Sequence, residues 1–278
     1  MDLLDGLAAD SVRFYPVGAG FEPDLSGVEA QARPGDLVLL VAYFGLPVSP
    51  SARQFARRRR DLRIVEDRAQ ALGPGLPACG GYVLYSPRKL LGVADGGVLV
   101  APDSASPLPH PTDVADAETL WRAARLRQAD PTGLDNARWH AANQGRERAM
   151  GAAPDAITPL SLSILSAASI AELASARLEN WRALDARLHA WSALPPSPQT
   201  PPLGYVLRLP PAVRDELLAA LHAQRIFAAV HWPRIAAPEA AFPTEAAWTR
   251  ELLTLPCDHR YGAAQMQRIA DLVLEHLG

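Results

Sequence analysis

Lysine is almost missing from this chain: of its 27 basic side chains, 26 are arginine and Lys89 is the one lysine. Arginine serves solubility, ion pairs and anion contacts at least as well as lysine, but it keeps its proton and cannot become a nucleophilic amine. Amine chemistry is therefore excluded at every other basic side chain, and Lys89 stands out as the candidate for it. Cysteine is also scarce. Cys79 and Cys257 have no metal-ligand spacing and no partners for a disulfide framework. No apolar run approaches the roughly 20 residues of a membrane span. The start, Met1-Asp2-Leu3-Leu4-Asp5, is acidic and lacks the basic and apolar regions of a secretory signal. A net charge of −3 gives no electrostatic case for nucleic acid or an anionic membrane. The basic run Arg57 to Arg60 reads as a solvated helix end before a strand. A reduced cytoplasmic setting is the expectation, with small molecules rather than nucleic acid or membrane as partners.

What is present reads as α/β. Val12 to Val17 is expected as a short strand and Asp24 to Gln31 as a helix. Asp36 to Phe44 is a continuous apolar run, too short for a helix, and predicts a parallel strand buried on both faces. A polar helix over Ser51 to Arg60 and a strand over Leu62 to Asp67 complete a βαβ unit. Tyr82 to Ser86 and Gly97 to Ala101 read as strands flanking a glycine-rich turn, and Ala115 to Arg127 as a helix. Apolar spacing from Leu160 to Trp191 predicts one long helix, ended by the proline-rich Leu194 to Pro202. Beyond it lie strand Gly204 to Leu209, helix Val213 to Gln224, strand Ile226 to His231, helix Thr244 to Leu252, strand Leu253 to Leu255 and helix Ala263 to Leu277. Three parts are expected: 1–155 as a larger α/β unit, 156–194 as a connecting helix, and 195–278 as a small α/β domain.

Open parallel sheets bind ligands at the C-terminal ends of their strands. Asp67 ends such a strand, and a carboxylate there must be paired or serve a ligand, because leaving it bare costs several kcal/mol. On its own it reads equally as a helix cap or turn residue. Lys89 follows 22 residues later, directly after a strand and before the turn Gly92 to Gly97. There, burial would lower an amine's pKa and glycines would let backbone approach a ligand.

These residues carry a resemblance. Val65-Glu66-Asp67-Arg68-Ala69-Gln70-Ala71-Leu72-Gly73, then Tyr85-Ser86-Pro87-Arg88-Lys89-Leu90-Leu91-Gly92 and Asp95-Gly96-Gly97, resemble the E-D-x-A-Q-A and lysine–glycine motifs of the DegT/DnrJ/EryC1/StrS sugar aminotransferases. Val41 to Pro47, Val230-His231-Trp232-Pro233 and Leu253 to Pro256 continue the likeness in order, from about Phe14 onward. The resemblance implies a shortened large domain of a fold-type I pyridoxal-phosphate (PLP) enzyme followed by a small C-terminal domain. It implies that Lys89 forms the Schiff base and moves protons, that Asp67 pairs with the pyridine nitrogen, and that Gln70 contacts the ring oxygen. The substrate would be a keto-sugar or similar small carbonyl compound, with an amino donor, in a homodimer.

The chain departs from that pattern at the cofactor phosphate. The resembling proteins begin with about another hundred residues, still an ordinary domain size. Those residues carry a Ser-Gly-Thr helix start for the phosphate and a ring-stacking aromatic; Gly6-Leu7-Ala8-Ala9 lacks the Gly-Thr pair. Leu84 stands where they have a serine five residues before the lysine, leaving Ser86 as the hydroxyl for a phosphate. Gly151 to Pro159 replaces a tyrosine–asparagine segment. Two alternatives follow: a non-catalytic relic of the fold, or one half of a split enzyme. His231 and Trp232, after an apolar strand, read as a core-edge pair before a wall of a substrate pocket, Cys257-Asp258-His259 as structural, and Glu66 as pointing away from Asp67.

Overall fold

The computed structural model describes residues 11–72, 77–103, 111, 116–149, 155–195, 198 and 200–278. The segments around Gly6 to Ala9, Gly73 and Gly151 to Pro154, and part of the proline-rich link, lie outside the described residues.

The chain opens with an extended segment and α1 (Leu25–Gln31), whose N-cap Asp24 accepts from the backbone N–H groups of Ser26 and Gly27. β1 (Leu37–Val41), α2 (Pro50–Arg58) and β2 (Arg63–Arg68) form the expected βαβ unit, with β1 and β2 parallel. β3 (Tyr82–Tyr85) extends the sheet in parallel and β4 (Val98–Val100) closes it antiparallel, in the order β1-β2-β3-β4. Helices α3 (Ala117–Ala129), α4 (Asn136–Ala149), α5 (Pro159–Ala167) and α6 (Ile170–Leu188) follow. The C-terminal unit pairs β5 (Tyr205–Arg208) antiparallel with β6 (Leu252–Leu255), packed with α7 (Pro211–Ala223), α8 (Pro243–Glu251) and α9 (Ala263–Leu277).

Two apolar cores account for most of the packing. In one, α6 brings Trp181, Leu184 and Leu188 against Tyr205, Leu207, Leu217, Leu253 and Ile269. Each fully buried leucine there contributes about 1.5–3 kcal/mol relative to exposure. The other holds Val38 and Leu40 of β1 against Ala52 and Phe55 of α2 and Ile64 of β2. A smaller cluster, with Val17, Phe21 and Phe44 on one side and Val206 and Leu252 on the other, joins the N-terminal segment to the C-terminal unit.

Four expectations are corrected. Val12 to Val17 is no strand: Pro16 has no N–H to give a ladder, and the segment makes a single bridge from Val17 to Pro23. β1 is not buried on both faces, since Leu37, 63% exposed, and Leu39, 43% exposed, lie on the face of the sheet that also leaves Leu84 of β3 exposed. The long helix is two helices, bent by 72° between Ala167 and Ile170. α6 packs its apolar stripe on β5 and α9, while Leu165 of α5 reaches toward Gly96, so the two serve different surfaces. The strand from Ile226 to His231 is reduced to one bridge, Ala229 to Thr254. α4 was not anticipated, for its apolar residues follow no helical period. Among the described residues no single helix is long and apolar enough to cross a membrane.

Candidate functional site

The parallel strands β1, β2 and β3 end at one edge of the sheet, and the chain turns there three times. After β1, Tyr43 to Gly45 makes a tight turn in which Phe44 takes a positive φ of 56°. Gly45 follows at φ 81°, where a Cβ would lie 2.4 Å from the Gln70 carbonyl oxygen, so only glycine fits this close approach. Gln70 Oε1 in turn accepts the buried Phe44 N–H at 2.7 Å. The turns after β1 and β2 are thereby locked together.

Asp67 lies on the opposite face of β2 from Glu66 and Arg68, as strand alternation requires. Glu66 and Arg68 are buried and paired at 2.6 Å, and Arg68 also donates to the Tyr85 hydroxyl at 3.0 Å and the Pro77 carbonyl at 2.7 Å. Asp67 is only half-buried. Its Oδ1 accepts the Ala69 N–H at 2.8 Å, and it has no cationic partner among the described residues. Across the sheet its register partner is Leu84, on the same face. Two residues on, in extended backbone, Ser86 follows with its side chain making no capping bond. Lys89 closes the turn Pro87 to Lys89; it is exposed, and its amine makes no hydrogen bond or ion pair among the described residues.

Charge relationships draw these groups toward one place. Tyr43 is pushed up to about 12, first by burial and then by the negative charges of Glu245 and Asp67. His231 is pushed down to about 4, first by burial and then by the positive charge of Lys89. The His231 ring packs on Phe44 at 6.1 Å and on Trp232 at 5.9 Å. His231 and Trp232, expected as a core-edge pair, therefore face the same turns as Asp67 and Lys89. A cavity of about 670 Å³ is walled by Tyr43, Phe44, His231, Trp232, Phe242 and Trp248, and Lys89 lines a separate one. The motifs named both segments but not their packing, because it joins residues more than a hundred positions apart.

The lesser candidates are structural. Cys257 is fully buried, with its thiol pushed up to about 11 by burial, and Asp258 beside it is engaged by Arg177 and Arg260. Cys79 is likewise buried and free. Among the described residues no cluster of His, Cys, Asp and Glu could hold a metal ion.

A PLP-type ligand demands an amine for its aldehyde, an acid for its pyridine nitrogen and donors for its oxygens. Lys89 offers a free amine, Asp67 a carboxylate oxygen with no partner, Gln70 an amide N–H2 not used in its bond to Phe44, and Ser86 a free hydroxyl. An amine, an acid and hydrogen-bond donors at one strand edge fit the aldehyde and pyridine ring of such a cofactor.

No protein-family model and no curated protein matches the sequence. Solved structures do match the fold. The aminotransferase TlmJ from Streptoalloteichus hindustanus is 21% identical, with a TM-score of 0.63, over 95% of this chain and 72% of its own. The putative sugar aminotransferase Spr1654 from Streptococcus pneumoniae, in its PMP form, is 15% identical, with a TM-score of 0.63, over 95% and 75%. DesV from S. venezuelae, in complex with a ketimine intermediate, is 22% identical, with a TM-score of 0.60, over 94% and 70%. A DegT DnrJ EryC1 StrS aminotransferase from Brucella abortus shares the fold at a TM-score of 0.60. The fold expected from the motifs is the fold observed, and these neighbours are longer than the chain.

Proposed function

We propose that this chain, which has the fold of the DegT/DnrJ/EryC1/StrS-type aminotransferases, is a PLP-dependent aminotransferase-like enzyme acting on a keto-sugar or similar small carbonyl compound. The observation that carries the reading is that Asp67, Gln70, Ser86 and Lys89, at the C-terminal edge of the parallel strands, each keep a polar atom with no partner among the described residues. When bound, the cofactor supplies an aldehyde for imine exchange and a protonated pyridine that stores electrons.

The chain's own residues do the rest. Lys89 Nζ would hold the cofactor through its aldehyde, with loss of water, and as a free amine would move a proton at the substrate carbon. The Asp67 carboxylate keeps the proton on the ring nitrogen, since an adjacent negative charge favours the protonated form. The Gln70 amide would donate to the ring oxygen and the Ser86 hydroxyl to the phosphate. His231, neutral at pH 7, is free to accept a hydrogen bond from a substrate hydroxyl. A homodimer is the proposed assembly.

Because Lys89 is the sole lysine, trapping it is unusually clean. Incubation with pyridoxal phosphate, borohydride reduction and peptide mass spectrometry should place one adduct on Lys89. An unmodified Lys89 peptide at saturating cofactor would contradict the reading.

A second reading has support of its own. On the face of the sheet that carries Asp67, Leu37, Leu39, Leu84 and Leu99 are 39–63% exposed. Mostly parallel sheets are ordinarily covered on both faces. In this reading a segment outside these 278 residues, in the same polypeptide or a separate one, covers that face and completes the phosphate end. Amide exchange should then slow at β1 and β4 when the complete assembly is purified; full cofactor binding by the 278 residues alone would count against it.

A further inference from the structure

The cavity of about 670 Å³ lies where the N-terminal segment meets α8 and the loop after Val230, and its wall is mostly rings. The chain has six phenylalanines, and four of them line it, with Tyr43, Trp232 and Trp248. The rings brace one another: Phe21 packs on Trp248 at 4.8 Å, and Tyr43 meets Trp232 edge to face at 5.4 Å. Lys89 is not on this wall, since its turn lines the separate, arginine-lined cavity. Two charged side chains belong to the aromatic cavity, Arg234 and Glu245. Arg234 is exposed to solvent. Glu245, on α8, is half-buried, and its Oε1 accepts the Val17 N–H at 2.5 Å. Its other oxygen has no partner, and the carboxylate has no cation beside it, among the described residues.

A carboxylate drawn part-way out of water favours a cation beside it. Aromatic faces are negative and favour a cation too, tryptophan most of all. Both preferences meet at one place. Burial first and the charge of Glu245 second push the Tyr43 phenol up to about 12, which sets the carboxylate near that ring. His231, also on the wall, is neutral at pH 7 and does not oppose a positive ligand. The volume and the few polar groups are those of a small-molecule site. We propose that this cavity binds a small organic ammonium ion, its charged head against Glu245 and its apolar body between the rings. A carboxylate on the ligand would meet the like charge of Glu245, so an amine fits better than an amino acid. The site is additional to the carbonyl chemistry proposed above and does not depend on it.

The test is calorimetric titration of the full chain at pH 7 with phenethylamine, 2-phenylethanol and phenylalanine. Phenethylamine should bind about tenfold or more tighter than either of the others. Glu245→Gln keeps an oxygen for the Val17 N–H and should erase the advantage over 2-phenylethanol. Glu216→Gln, the same charge change at an exposed position of α7, should leave that advantage intact. Trp232→Leu, at a half-buried ring, should weaken phenethylamine binding and serves as the second variant if Glu245→Gln does not fold. Equal binding of the amine and the alcohol overturns the proposal. So does phenylalanine binding as tightly as the amine, an advantage that survives in Glu245→Gln, or unchanged amine binding in Trp232→Leu. None of the probes carries an aldehyde or ketone, so the outcome is read independently of any chemistry at Lys89.

Discussion

Gln70 Oε1 accepts the backbone N–H of Phe44 at 2.7 Å, and through this bond the turn after β2 holds the turn after β1. Phe44 sits there at φ 56° and is only 1% exposed, a conformation that costs a bulky residue on the order of 1–3 kcal/mol. The bond offsets that cost. Gln70→Ala leaves a buried N–H unsatisfied and should lower stability by about 1–3 kcal/mol in urea unfolding. Gln70→Glu keeps an acceptor oxygen in place and should lose less. Equal losses in both variants would show that the side-chain oxygen is not what matters.

The Glu66–Arg68 pair is the most deeply buried ion pair among the described residues, both members at most 1% exposed. Glu66 Oε2 also accepts the Cys79 N–H at 3.1 Å. Removing one partner strands a charge, so Arg68→Leu should cost about 3–5 kcal/mol. The double variant Glu66→Leu with Arg68→Leu should recover part of it, because no lone charge remains. Additive losses in the double variant would argue against a coupled pair.

His231 gives a pH signature. Its pKa is pushed down to about 4, first by burial and then by the charge of Lys89, against about 6.5 in the unfolded chain. Between those values the unfolded state binds the extra proton. The stability tied to a neutral His231 is therefore fully present above pH 6.5 and lost as the pH falls through about 4. The total is on the order of 3 kcal/mol at most. His231→Gln should flatten the slope between pH 6.5 and 5, and Lys89→Gln should raise the histidine pKa in an NMR titration. An unshifted histidine in Lys89→Gln would place the amine too far away to matter.

Legibility in the sequence followed the range of the forces involved. Helix α9 spans Ala263–Leu277 as its apolar period predicts, and Asp24 caps α1 as a local hydrogen-bonding residue should. β1 was misjudged because an apolar run reports only what can be buried, and Leu37 and Leu39 have no neighbour on one side. The α5–α6 break is a tertiary outcome, set by two packing surfaces that local spacing does not distinguish. At the proposed site, the end of β2 and the turns after β2 and β3 that carry Asp67, Gln70, Ser86 and Lys89 were legible because the motif is nearly contiguous. The charge of Lys89 acting on His231 and the arginine-lined cavity were not, since each joins segments far apart in sequence.

The most direct measurement is an ultraviolet–visible titration of the purified chain with pyridoxal phosphate, alongside Lys89→Ala and Asp67→Asn. The account predicts a visible imine band in the parent chain that is absent in Lys89→Ala, and an altered band with weaker binding in Asp67→Asn. A parent spectrum that is only the sum of protein and free cofactor, or a band that survives in Lys89→Ala, would contradict it.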